Sequence, residues 1–179
     1  MSKDDEPARA GRRAKKRPIV DSRQLEELLV AAMRLSPEHW EVVLILAKTG
    51  IELKALRSIT WRDIGDAGLI WRRPKLRDEV TILLDEPDLV RAVDGFVRRP
   101  RRSSDRLERL VREAREETRN PELADVSPMR LRLTRCYTLL MQGESEERVA
   151  TLLNLKPAIV HEVALLSHRS AKGRPTDER

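Results

Sequence analysis

Residues 127–143, SPMRLRLTRCYTLLMQG, constrain the fold more than any other stretch of the chain. Ser127 and Pro128 are N-cap and first-turn residues, Gly143 is a stop, and Met129, Leu133, Cys136, Leu139 and Leu140 recur between them at helical spacing. The pattern predicts a core helix with one buried face. Arg130, Arg132 and Arg135 stand among the apolar positions, so this interior helix also holds up guanidinium groups suited to gripping phosphate. The partner they point to is nucleic acid.

Composition agrees with that partner. The 179 residues carry a net charge of +6 with a pI of about 9.9, as for a polyanion-binding surface. Cys136, the one cysteine, lies on the apolar face of its helix, which excludes a disulfide framework and a cysteine metal site. With His39 and His168 it forms no metal-ligand spacing, so neither a metal nor another cofactor is expected. No apolar run reaches the roughly 18 residues of a membrane span, and no signal peptide opens the chain. The expectation is a cytoplasmic, nucleoid-associated protein with no membrane and no small-molecule substrate.

Residues 1–20 hold Arg12, Arg13, Lys15, Lys16 and Arg17 with almost no large apolar side chain, and read as a disordered basic arm. From Asp21 the pattern turns helical, with Leu25, Leu28, Leu29, Ala32 and Met33 on one face, and Ser36-Pro37 starts a second helix that ends at Gly50. A short helix over 52–59 and a turn over 61–66 follow. Leu69–Trp71 and Val80–Leu84 are β-type runs, forming a hairpin whose exposed tip carries Arg72, Arg73, Lys75 and Arg77. Residues 86–98, 104–118, 145–153 and 157–166 read as further helices, and the chain from Ser167 as a polar tail. Trp40, Trp61 and Trp71 are expected in core or hairpin packing, and the scarcity of aromatics argues against single-strand binding. The expected class is mostly α with a small antiparallel β-hairpin or sheet, in one domain over residues 21–166.

Three blocks in this order carry a family resemblance. Thr49 to Ile64 reads TGIELKALRSITWRDI, Ser127 to Gly143 contains P-xx-L-R-x-T and a closing Gly, and Leu152 to Ala164 keeps the spacing of a third block. Together they resemble the catalytic domain of the tyrosine recombinases, the phage-type integrases. The resemblance implies a C-shaped clamp around double-stranded DNA. Lys75 and Arg132, with Arg130, Arg135, Arg72, Arg73, Arg77, Arg57 and Lys156 nearby, would hold its phosphates, and the basic arm would add non-specific affinity.

The family's chemistry needs a nucleophilic tyrosine, two arginines, a hairpin lysine and histidines for charge stabilisation and proton transfer. Position by position, most are replaced. Glu52 stands at the first arginine, Met129 at the first histidine of the second block, Leu133 where His or Lys is usual, Leu155 at the third-block histidine and Ala164 at the tyrosine. Tyr137, the only tyrosine, lies five residues past Arg132, about 140° around the helix, and reads as a packing residue. The apolar replacements are those expected of a polar pocket filled in as core. The implied protein is no enzyme but a non-catalytic duplex-DNA-binding factor, at most a homodimer, that regulates transcription, marks a site or shapes DNA. Two alternatives stand beside it: a helix-turn-helix regulator built on residues 145–166, in which Lys156 and His161 would lie at the DNA, and a protein-interaction subunit of a recombinase or other DNA-bound complex.

Overall fold

The structure is a computed structural model that describes residues 19–65, 68–73 and 78–172, with the side chains of residues 71–73, 78 and 168–172 left out. Its first helices begin where their caps dictate. Asp21 accepts the Gln24 N–H at 2.8 Å and Gln24 Oε1 accepts the Asp21 N–H at 3.2 Å, a reciprocal box that starts α1 (Ser22–Leu35). Ser36 caps α2 (Pro37–Thr49), with Pro37 in its first turn, and Gly50 ends it at φ 66°. Val42 to Ala47 are all buried, so α2 is apolar on every side and forms the centre of the domain. Around it pack α1, α4 (Pro87–Arg98), α5 (Ser104–Thr118) and α6 (Pro128–Met141).

Between α2 and α4 come α3 (Leu53–Leu56), a 3-10 turn at Trp61–Asp63, and a three-stranded antiparallel sheet in the order β1 (Ile64–Gly65), β2 (Gly68–Arg73), β3 (Asp78–Ile82). Leu69 pairs with Ile64 on one side and Ile82 on the other, and Trp71 pairs with Val80. The buried Leu69 and Val80 hold the sheet to the helices. The chain ends in α7 (Glu146–Leu153) and α8 (Pro157–Lys172), both packed on α6.

The mostly helical class with a small sheet stands, and several details differ from expectation. Helix α6 serves two cores. Leu131 joins the main one, and Cys136 and Leu139 join a second made with Val149, Leu153, Leu155, Val160 and Val163. Met129 is 40% exposed, because it sits two turns N-terminal to the part of α6 that α7 and α8 cover. Met33 is exposed too, about 140° around α1 from the fully buried Leu28. Trp61 is 69% exposed and outside both cores, whereas Trp40 is buried. Val20, assigned to the basic arm, is buried, and its N–H donates to Thr134 Oγ1 at 2.9 Å. Helix α8 continues to Lys172, six residues past the expected end at Leu166, with Ser167 buried.

Candidate nucleic-acid interface

The loop that leaves α2 brings three distant segments together. At Gly50 a Cβ would stand 2.8 Å from Leu153 Cδ2 and 3.2 Å from the Arg135 stem, and the positive φ disfavours any other residue. That close approach sets the Gly50 carbonyl beside α6, where Arg132 Nε donates to it at 3.0 Å. Arg132 Nη2 donates to the carbonyls of Leu153 and, at 3.2 Å, Asn154, and to Glu52 Oε1 at 3.3 Å. Glu52 Oε1 also accepts the Asn154 side-chain amide at 2.7 Å. Asn154 takes the left-handed conformation that closes α7, φ 50°, which its short polar side chain tolerates. Burial pushes the Arg132 pKa below its ordinary value, against the pull of Glu52. The arginine expected to grip phosphate thus braces the α2–α3 loop, α6 and the α7–α8 loop.

Arg132 and Glu52 line a hollow of about 570 Å³ whose other walls include Lys54, Glu108, Arg115 and Met129. The apolar positions that the resemblance reads as replacements divide around it. Leu155 and Ala164 are buried, and Leu133 is half-buried against the second core, so these three act as core. Met129 does not. It faces the hollow, correcting the expectation that all four apolar replacements fill the interior.

Arg130 is not at a surface that DNA could touch. Its guanidinium is tied to Asp125, to the Ile19 carbonyl at 3.0 Å and to the Glu122 carbonyl at 3.4 Å, and the residue is 7% exposed. Two residues along a helix turn about 200°, so Arg130 and Arg132 leave α6 on opposite sides. Arg135 is half-buried in another hollow beside Lys48; burial lowers its pKa, opposed by Asp85 and Glu86. Arg57 and Lys156 are exposed. Arg72 and Arg73 lie on β2, and Lys75, Arg77, Arg12, Arg13, Lys15, Lys16 and Arg17 lie outside the described residues. Asn154 and Gly50 were missed as site residues, although an Asn or Gly at a helix end is a readable signal. Residues 21–167 carry 25 Lys/Arg and 25 Asp/Glu, so the whole net charge of +6 resides in the two termini.

The crystal structure of XerA recombinase superposes with a TM-score of 0.72 at 18% identity, covering 90% of this chain and 66% of that one. This is the tyrosine recombinase fold. A lambda integrase dimer bound to a COC′ core site matches with a TM-score of 0.67 at 17% identity, covering 96% of this chain and 53% of that one. A lambda integrase tetramer bound to a Holliday junction matches at 0.66 and 18%, covering 90% and 50%. The chain therefore spans between half and two thirds of the length of these recombinase structures. No protein-family model matches the sequence, and no curated protein does.

Proposed function

We propose that this protein binds duplex DNA without cutting it, as a transcriptional regulator, a site marker or an architectural factor. The observation that carries the reading is the Glu52–Arg132 pair, 3.3 Å apart, in a fold shared with integrase structures bound to a core site and to a Holliday junction. A carboxylate at about 4 Å from a phosphodiester repels it by about 4 kcal/mol at an effective dielectric of roughly 20, which offsets the attraction Arg132 would supply, so the pair offers a scissile phosphate no net attraction. A nucleophile is missing as well. Ala164 is buried at the position the resemblance gives to tyrosine, and Tyr137 packs against the second core.

Phosphate affinity then comes from outside the cleft. Residues 1–20 hold seven Lys/Arg against three Asp/Glu, and the hairpin adds Arg72, Arg73, Lys75 and Arg77. Counterion release at such groups makes binding steeply salt-dependent. The test is retention of genomic DNA fragments by the full chain at near-physiological salt, followed by sequencing. Enrichment of inverted repeats supports a sequence-specific dimeric regulator, and uniform retention supports an architectural protein. No retention overturns the proposal.

The neutral body, 25 basic against 25 acidic residues over 21–167, favours a second reading, a subunit that joins a DNA-bound complex through protein contacts. The helix-turn-helix alternative gains nothing. Over residues 157–167, the part of α8 whose side chains are described, the outer face offers Ala158, His161, Glu162 and Leu165, with His161 held by Glu146 at 3.1 Å, and none of these is an Arg, Asn, Gln or Lys that reads base edges.

A further inference from the structure

A further hollow, of about 540 Å³, shares no lining residue with the one that Glu52 and Arg132 line. Its walls include Arg57, Trp61, Arg62, Arg99, Arg101 and Arg102. Two of these arginines are neutralised from behind. Arg99 holds Glu41 at 2.8 and 2.9 Å, and Arg102 holds Glu38. Among the described residues Arg57, Arg62 and Arg101 have no such ion pair, unlike Arg99 and Arg102 in the same wall. The Arg62 guanidinium instead lies 5.4 Å over the Trp61 ring, whose exposure of 69% leaves its other face to solvent. The one carboxylate among the lining residues, Asp63, is engaged by its own loop, accepting the Thr60 N–H at 2.8 Å and hydroxyl at 2.9 Å.

We propose that this hollow binds a nucleotide, with its phosphate across Arg57 and Arg101 and its base on the open face of Trp61. Unpaired guanidinium groups match phosphate oxygens in forked geometry, and an indole held from behind is a stacking platform for any base. The volume lies within the range of small-ligand sites. A phosphate joined to an unstacked base is offered by a free nucleotide or by the terminal nucleotide of a DNA strand; bases inside a duplex are not available to Trp61. The site is separate from the Glu52–Arg132 cleft and does not rest on the duplex-binding reading.

Fluorescence of the full chain tests it, with Trp61→Phe separating the signal of the exposed Trp61 from those of Trp40 and Trp71. The probes are ATP, inorganic pyrophosphate and a short 5′-phosphorylated single-stranded oligonucleotide. Saturable quenching by ATP is expected, with competition by pyrophosphate. The Arg57→Ala/Arg101→Ala double variant, checked as folded by its thermal melt, should weaken ATP roughly tenfold or more. Trp61→Phe should lose the quenching and weaken ATP while leaving pyrophosphate binding intact. ATP binding the tighter supports a free nucleotide; the oligonucleotide binding the tighter supports a strand end. Absence of saturable binding by either up to about 1 mM, or binding indifferent to the double variant, overturns the proposal. Duplex retention, measured separately, tells failure here from failure of the DNA reading.

Discussion

The Glu52 carboxylate accepts from the Arg132 guanidinium at 3.3 Å and from the Asn154 amide at 2.7 Å, joining residues 80 and 102 positions apart in the chain. The acid that the resemblance sets at an arginine position is thus paired with Arg132. Glu52→Gln keeps an acceptor for both donors, so stability should fall by only about 0.5–1.5 kcal/mol in urea titrations. The same change unmasks Arg132. Duplex DNA should bind several-fold tighter, with a salt slope steeper by about one; an unchanged slope would remove the cleft from the DNA surface.

Arg130 should behave as a structural residue. Replacing it with Ala removes the guanidinium that Asp125 and the Ile19 and Glu122 carbonyls share, a loss of about 1–3 kcal/mol. The salt slope of DNA binding by the folded fraction should match that of the unaltered protein. A reduced slope would show that Arg130 reaches phosphate after all.

On the proposed reading, placing Arg and Tyr at the two positions where the resemblance expects them should not produce chemistry. Ala164 is buried, so Ala164→Tyr overpacks its surroundings at a cost of about 1–3 kcal/mol or more. Combined with Glu52→Arg it should yield neither cleaved DNA nor a covalent protein–DNA adduct on denaturing gels. An adduct would contradict the non-catalytic reading.

Acid should weaken the domain through Glu38. Burial alone would raise its pKa, but hydrogen bonds from Arg102 and Arg106, and their charges, outweigh this and hold it below the ordinary 4.5. A carboxyl depressed in the folded state contributes stability that is present above the unfolded value and lost as pH falls through the lower folded one. Glu113, lowered chiefly by its 2.8 Å hydrogen bond to His39, acts in the same direction. Glu38→Gln should therefore cost about 1 kcal/mol at neutral pH, and that cost should shrink steadily as pH falls below 4.5, followed by urea titration across the acid range.

Cys136 should be inert in the folded protein. It is buried in the second core, and burial pushes its thiol up to about 11. Labelling by a thiol reagent at pH 8 should track unfolding across a urea series; rapid labelling of the native chain would mean that α7 and α8 open from α6.

Much of the scaffold is legible in the chain because its signals are local. Ser36-Pro37, Ser127-Pro128 and Ser145 each accept hydrogen bonds from N–H groups three residues on, and the helices begin there. Leu107, Leu110, Val111 and Ala114 bury as their spacing requires. Strand β1 escapes notice because two residues have no period, and α8 overruns Leu166 through a buried Ser167 whose hydroxyl donates back to the Ala164 carbonyl at 2.8 Å, so a polar residue there does not end the helix.

The substituted site divides in the same way. The resemblance, which depends only on order along the chain, sets Glu52, Leu155 and Ala164 against an arginine, a histidine and a tyrosine. The fate of the arginines does not. Arg130 and Arg132 are separated by one leucine and look equivalent in sequence, yet one is shut against Ile19 and Asp125 and the other braces three loops around Gly50. A cap or an apolar stripe is decided by bonded neighbours. Where a guanidinium spends its charge is decided by which distant carbonyls and carboxylates packing brings within about 3 Å, and only the tertiary structure sets that.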